Sequence, residues 1–430
     1  MTRAGGAGGG ELRCVVVGAG IGGLASALSL HEVGAEVEVF DSVRRVSALG
    51  VGINLLPHAV RELDALGLLE RLDARGVTPT RLLYCTRRGQ EIWQEPRGLA
   101  AGYPWPQLSI HRGVLQEVLL EAVVDRLGAG ALQLGRRLVR IDDGEGGGGG
   151  AAAVFDDGSV AAADVVVAAD GIHSAARRQR YPDEGPPRWN GALLWRGIAE
   201  IDPVLDGRTM IWAGHPDQKF VGYPIADLEG GRQAFNFVAE LRRPDSDLAG
   251  SEDWNRRGSL DDFLPPFEGW DFGWLDVPAI IRAAAETYLF PMVDRDPVAR
   301  WTFGRSTLLG DAAHPMYPIG SNGASQAILD ARVLAGCVRR HTDDLDQALA
   351  RYEEARRPAT GAIVEANRGL GPELPMLLVE QRAPEGFADI VDVITPDEIA
   401  EVTEGYRRTA GFSLAALQRG TSLFDEPYGA

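Results

Sequence analysis

The sequence predicts an α/β fold in which a parallel sheet, assembled from separated segments, joins an antiparallel sheet and a helical C-terminal segment. Three observations predict it. Apolar runs at 13–17, 164–168 and 307–309 each end in a Gly/Asp turn that leads into a helical pattern, as strands buried on both faces do. Between the second and third, at 188–241, the runs alternate or are rich in aromatics (LLWRGIAEI, TMIWAG, KFVGYPIA, QAFNFVAEL), as in a separate antiparallel sheet. Beyond Ala331 the pattern is helical through 352–368 and continues into a weakly patterned tail. The expected division is a tail at 1–11, one domain in two parts at 12–187 and 296–370, a β-sheet domain at 188–295, and a C-terminal helical segment at 371–430.

Composition narrows the function. The 430 residues carry a net charge of −18, with 45% hydrophobic and 24% charged residues. That balance suits a globular chain with a large core and argues against nucleic acid or an anionic membrane as partner. No run approaches ~18 consecutive apolar residues, and the N-terminus lacks the apolar core of a signal peptide, so a cytoplasmic setting is expected. Cys14, Cys85 and Cys337 are far apart and show no metal-ligand spacing; Cys14 and Cys337 sit in apolar runs and read as buried free thiols.

Taken in order, strand 13–17 (RCVVV) leads directly into GAGIGG at 18–23, a helix, and an alternating strand EVEVF that closes on Asp41. In such a unit the glycines give a tight turn, close approach of a pyrophosphate and close helix–strand packing, while the terminal acid accepts from a ribose hydroxyl. The stretch 50–72 reads as a glycine turn and two short helices. Residues 82–84 and 91–93 read as a hairpin around Arg87-Arg88-Gly89. SIHR at 109–112 opens a helix to about Leu127, with Arg112 either facing a phosphate or solvated. The GEGGGGGAAA tract at 144–153 reads as a mobile hairpin tip. ADGIHS at 169–174 is a second Gly/Asp turn, followed by a helix with Arg177 and Arg178. The third, at 310–323, crosses a Pro/Gly-rich loop into a long helix from about Ala324.

The residues leave few kinds of chemistry. Seven histidines form no HExxH or other helical metal pair, and neither a GxSxG elbow nor a P-loop lysine occurs. No metal site is expected and no side chain is assigned as catalytic. Hard chemistry then falls to a bound dinucleotide. A nicotinamide dehydrogenase needs only the first glycine turn. FAD is longer and needs a second element: Asp311 suits its ribityl hydroxyls, and the helix start at Gly323-Ala324 suits the flavin edge that becomes anionic on reduction.

The three turns GAGIGG, ADGIHSAAR and GDAAHP with YPIGSNGAS, in this order and at these distances, resemble the single-component FAD-dependent aromatic hydroxylases (group A, salicylate-hydroxylase-like) over roughly 12–368. LGVGIN, SIHRG, WRG, DWNR, PMVDRDP, NGASQAILD and YEEARRP are similar to that family's phenazine-carboxylate branch. Asp41 departs from the usual Glu, and Ser321 from a small apolar residue. The resemblance implies a glutathione-reductase-type FAD domain, NADH or NADPH as co-substrate, and hydroxylation of a small aromatic by O2 through a flavin C4a-hydroperoxide. It links the middle Asp-Gly motif to FAD and the nicotinamide nucleotide, and Arg112 to FAD. Expected FAD contacts are Gly18, Gly20, Ile21, Gly22, Gly23, Asp41, Ser42, Val51, Arg112, Asp170, Asp311, Gly320, Gly323 and Ala324. Pro318 to Gly320 are expected beside the flavin's reactive edge, with Pro318 also facing substrate. Trp195, Tyr223 and Phe237 either line the substrate pocket or belong to the core, and Arg196 holds either a substrate carboxylate or an ion pair. Open alternatives are Baeyer–Villiger oxidation or epoxidation of a polycyclic ketone, an oxidase or reductase without oxygen transfer, and a non-catalytic flavin-containing aromatic binder. The chain is expected to be a monomer or homodimer.

Overall fold

The computed structural model describes residues 12–46, 50–143, 149–244 and 256–427. The expected tail at 1–11, Leu49, positions 144–148 of the glycine tract and positions 253–255 of DWNR lie outside them.

Six strands form the first sheet, in the order Thr302–Phe303, Ser306–Leu308, Val165–Ala168, Arg13–Val17, Glu36–Asp41, Leu132–Leu134. All neighbours are parallel except the outermost pair. Val15, Val16, Val166 and Val167 are each at most 1% exposed, which explains the unbroken apolar runs: both faces are covered. The helix Ile21–Glu32 packs with Arg112–Leu127 and Gly323–Arg340. A three-stranded meander (Leu138–Asp142, Ala151–Phe155, Val160–Ala163) packs against the same core, where Phe155 stacks on Phe40 at 4.6 Å.

The second sheet has seven strands, in the order Ala284–Asp294, Arg188–Ile201, Gln233–Arg242, Gln218–Asp227, Thr209–His215, Arg81–Cys85, Glu91–Pro96. The hairpin at 81–96, which falls within the expected 12–187 segment, extends this sheet. Arg81–Cys85 pairs in parallel with the Thr209–His215 strand; its sequence carries strand propensity but nothing that names the partner strand. The 50–72 stretch also differs from expectation. It begins with a strand, Gly52–Leu55, antiparallel to Leu108–His111, before its two helices. Four residues are too few for alternation to show.

Strand alternation divides the aromatics of this sheet. Trp195 and Phe237 point into a core with the helices Leu260–Phe263 and Val277–Ala283, where Trp195 stacks on Phe263 at 5.2 Å. Arg196 and Tyr223 occupy the opposite face, which meets the strand Gly52–Leu55 through Gly52. Trp195 and Phe237 are therefore corrected to core residues: an odd step along each strand puts them on the side away from Arg196.

The C-terminal segment packs on its own chain. Met376, Val379 and Ile394 cover Tyr84, Trp212 and Tyr223 of the second sheet. Further on, Phe424 lies under the Arg332 guanidinium at 4.4 Å, and Leu423 N–H donates to Glu62 at 3.0 Å. All three cysteines are buried and unbridged. Among the described residues no helix is long and apolar enough to cross a membrane.

Candidate functional site

The three Gly/Asp turns meet at the C-terminal edge of the parallel strands. At Gly18 (φ +108°) a Cβ would come within 2.2 Å of the Ala169 carbonyl oxygen, so the first turn rests on the second. At Gly23 a Cβ would sit 1.8 Å from the Gly18 carbonyl oxygen, and at Gly22 2.9 Å from the Leu309 side chain, so the first also rests on the third. Gly20 differs: nothing lies within 4 Å of its missing Cβ. The turn thus needs glycine on its inner side and offers open space at Gly20, where Ile21 begins the helix Ile21–Glu32. A pyrophosphate against free N–H groups fits that space.

Asp41 already has partners. Its carboxylate accepts from Ala19 N–H at 2.6 Å and Val43 N–H at 2.8 Å. Each oxygen keeps a lone pair for a ribose hydroxyl. Asp41 therefore braces the glycine turn as well. Ser42 follows it, exposed. Asp170 is turned inward: it accepts from Ser174 Oγ at 2.5 Å and Ala175 N–H at 2.7 Å, capping the helix Ala175–Arg180. Burial raises its pKa. Its carboxylate serves its own helix.

Asp311 behaves otherwise. Protein mass surrounds it and burial raises its pKa, while Arg112 and His314 oppose that rise; yet the side chain is accessible. Both are true of a carboxylate lining a cleft. Pro318, seven residues on, is also accessible, and Gly323 has nothing within 4 Å of its missing Cβ. Arg112 lies across from them at the start of the helix Arg112–Leu127, its N–H donating to the Val51 carbonyl at 3.0 Å. An accessible acid, an accessible helix N-terminus at Gly323-Ala324 and a cation at Arg112 suit the ribityl chain and polar edge of FAD. Val51 itself is buried.

Several supporting residues escaped the sequence reading. Arg177, 1% exposed, donates to the Ala313 carbonyl at 2.7 Å and the Asp296 carbonyl at 2.8 Å, fastening the second turn to the third. Asp330, fully buried, accepts from Gly310 N–H at 3.1 Å and Arg356 Nε at 2.7 Å, and pairs with His314 Nε2 at 2.5 Å. Burial alone would raise its pKa, but His314 and Arg356 hold it down at about 2. Gly52 is clamped: Arg196 donates to its carbonyl at 2.7 Å, Tyr223 at 2.9 Å, and Gly52 N–H donates to Asn236 Oδ1 at 2.7 Å. Asp330 and Arg356 fall within the quoted motifs NGASQAILD and YEEARRP, and Gly52 within LGVGIN. Asn236 had no signal beyond its place in an aromatic run.

On the sheet side, a narrow cavity is lined by Leu56, Tyr84, Trp212 and Gly320 together with the charged Glu95 and Arg407. The Arg196 guanidinium lies 5.8 Å from the Phe290 ring. Its Nε has no hydrogen-bond partner, and among the described residues it forms no ion pair. Burial lowers its pKa. This cation is held in a low-dielectric cleft without a carboxylate.

The family model described as FAD binding domain matches residues 11–242 and 284–367. The chain is 46% identical over 361 residues to the phenazine 1,6-dicarboxylic acid hydroxylase of Lysobacter antibioticus, covering 82% of this chain and 88% of that protein. It is 34% identical to the 3-amino-4-hydroxybenzoate 2-monooxygenase of Streptomyces cremeus, covering 84% and 88%. Among solved structures, a salicylate hydroxylase substrate complex aligns with a TM-score of 0.74 at 25% identity, covering 98% of this chain and 99% of that one. Klebsiella pneumoniae HpxO with FAD and uric acid aligns at 0.72 and 25%, covering 95% and 97%.

Proposed function

The chain belongs to the FAD binding domain family, among its FAD-dependent aromatic hydroxylases, and on that premise we propose that it hydroxylates a carboxylated, phenazine-like aromatic at the expense of NADH or NADPH and O2. Bound FAD supplies the activation of O2. The chain's own residues bind, orient and exclude water. Asp41 and the turn Gly18–Gly23 take the adenosine and pyrophosphate end, Arg112 and Asp311 the middle, and the Gly323-Ala324 helix start the flavin's polar edge. Pro318 to Gly320 border the reacting edge.

The observation that carries the substrate class is Arg196. A buried guanidinium with no carboxylate partner among the described residues, on the sheet face that meets Gly52, is the charge complement of a substrate carboxylate. The 46% identity to a hydroxylase named for a phenazine dicarboxylic acid supports the same reading.

The test is NADH consumption by the FAD-loaded protein with phenazine-1-carboxylate, phenazine-1,6-dicarboxylate, salicylate and unsubstituted phenazine, with peroxide measured in each. The proposal expects a carboxylated phenazine to speed oxidation at least about tenfold with little peroxide and a product heavier by one oxygen. Equal response to unsubstituted phenazine, or no response to any, overturns it.

A further inference from the structure

We propose that Tyr406, in the C-terminal helix Pro396–Thr409, is a positioning residue that fixes the loop Pro318–Gly323 in the shape the flavin needs. The inference rests on the membership in the FAD family and not on the choice of substrate.

The loop is conformationally costly. Gly320 (φ 67°, ψ 11°) and Ser321 (φ 60°) are consecutive left-handed residues. Glycine takes that conformation freely, but for serine it costs of order 1–2 kcal/mol. Such strain persists only where the surroundings over-determine it. The turn leads directly into the helix Gly323–Arg340, and backbone N–H groups of a turn at a helix start are where negative charge is held.

Tyr406 supplies the constraint. Its ring is 5% exposed and fills the space under Gly320, where a Cβ would come within 2.2 Å of the hydroxyl oxygen. The hydroxyl accepts from Asn322 Nδ2 at 2.8 Å and donates to Asn367 Oδ1 at 2.7 Å, with the Ile319 carbonyl 3.2 Å away. Asn322 Nδ2 donates in turn to the Gly320 carbonyl at 3.1 Å. Asn322 and Asn367 are at most 1% exposed, so water cannot replace these bonds. Burial raises the Tyr406 pKa, which keeps the hydroxyl protonated as a donor. One phenol thus ties together both ends of the strained turn and the end of the helix Leu345–Arg368. The turn at Leu370 (φ 70°) and Gly371 (φ 48°) wraps the other edge of the ring, with a Cβ at Gly371 2.8 Å from it.

The test uses Tyr406→Phe, which keeps the ring and removes the hydroxyl, and Asn322→Ala, which removes its loop partner. FAD affinity is read from fluorescence quenching on titration of the apoprotein, alongside its thermal unfolding and the visible circular dichroism of bound flavin. Loss of the buried bonds of the Tyr406 hydroxyl to Asn322 and Asn367 predicts FAD affinity about tenfold weaker and an altered flavin signal, with apoprotein unfolding shifted by less than about 4 °C. The double variant should lose less affinity than the two single losses combined, because both remove the Tyr406–Asn322 bond. Ser321→Gly added to Tyr406→Phe should recover affinity, since glycine holds the turn without help. Wild-type affinity in Tyr406→Phe, full additivity, or no recovery with Ser321→Gly overturns the proposal. If Tyr406→Phe does not fold, Asn322→Ala read the same way decides it.

Discussion

Arg196 donates a hydrogen bond of 2.7 Å to the carbonyl of Gly52, linking the seven-stranded sheet to the two-stranded ribbon of Gly52–Leu55 and Leu108–His111. A strand residue of the seven-stranded sheet thereby holds the glycine that opens the strand Gly52–Leu55, with Tyr223 as second donor. The guanidinium has five donors and spends few of them on the protein. Binding a carboxylate there would convert a costly buried charge into a charge-assisted pair.

The first prediction follows. Arg196→Met should raise KM for a carboxylated aromatic by about 10- to 100-fold, the cost of a charge-assisted bond, and leave an uncarboxylated analogue nearly unaffected. Thermal stability should change little, because the variant also removes a desolvated charge. Steady-state kinetics on matched analogues would check it; an equal rise for both analogues would mean that Arg196 acts only through Gly52.

A second prediction concerns Asp330. Its folded pKa of about 2 lies below its ordinary value of 3.8, so its ionised form is favoured by folding. The contribution is fully present above pH 4 and is lost as pH falls through about 2, amounting to about 2 kcal/mol. Asp330→Asn should lose about 3–5 kcal/mol at neutral pH, because Arg356 is left buried without its acid. The variant's remaining stability should fall less between pH 4 and 2 than the parent's, as denaturant titrations across that range would read.

Lys219 gives a third. Its ammonium lies 2.9 Å from Glu240 and 2.5 Å from Glu373, all three buried, and Trp212 Nε1 donates to Glu373 at 3.1 Å. One cation between two acids fastens the C-terminal segment to the second sheet. Burial raises the Glu240 pKa against the pull of Lys219. Lys219→Met leaves two facing carboxylates and should cost about 3 kcal/mol or more. Limited proteolysis should then cut near residue 370 faster than in the parent, and adding Glu373→Gln should slow the cut again.

The sequence was most legible where one local rule acts alone. The runs RCVVV and DVVVA declare buried parallel strands, and GAGIGG with Asp41 declares the first turn, because glycine and acid have few other reasons to occur there. It was least legible where long-range packing decides. The hairpin at 81–96 joins the second sheet because Arg81–Cys85 pairs with Thr209–His215, a choice no local pattern encodes. The face that Trp195 and Phe237 share depends on register set by the partner strands, since apolar residues occupy both faces of this sheet and alternation by itself names neither. Tyr406 lay in a weakly patterned tail, and its importance comes from where that tail folds back. Asp330 and Arg356 stood inside motifs, but only the fold brings them to the third turn.

The last prediction tests the first turn, where the geometry leaves least freedom. Gly23 would carry a Cβ 1.8 Å from the Gly18 carbonyl oxygen and 3.4 Å from Val16 Cγ1. Both the carbonyl and the helix Ile21–Glu32 are fixed, the helix by its fully buried Leu24 and Ala25. Gly23→Ala must therefore push the turn outward, into the space a pyrophosphate would take. FAD affinity should fall about 100-fold or more, equivalent to about 2.7 kcal/mol. Gly20→Ala has open space around its Cβ, so its apoprotein should unfold as the parent does, yet FAD binding should weaken because the methyl enters the same space from the other side. Measured side by side, the pair separates two causes. Gly23→Ala should lower both apoprotein stability and affinity, and Gly20→Ala affinity alone. If Gly20→Ala binds FAD as tightly as the parent, the pyrophosphate does not lie over this turn.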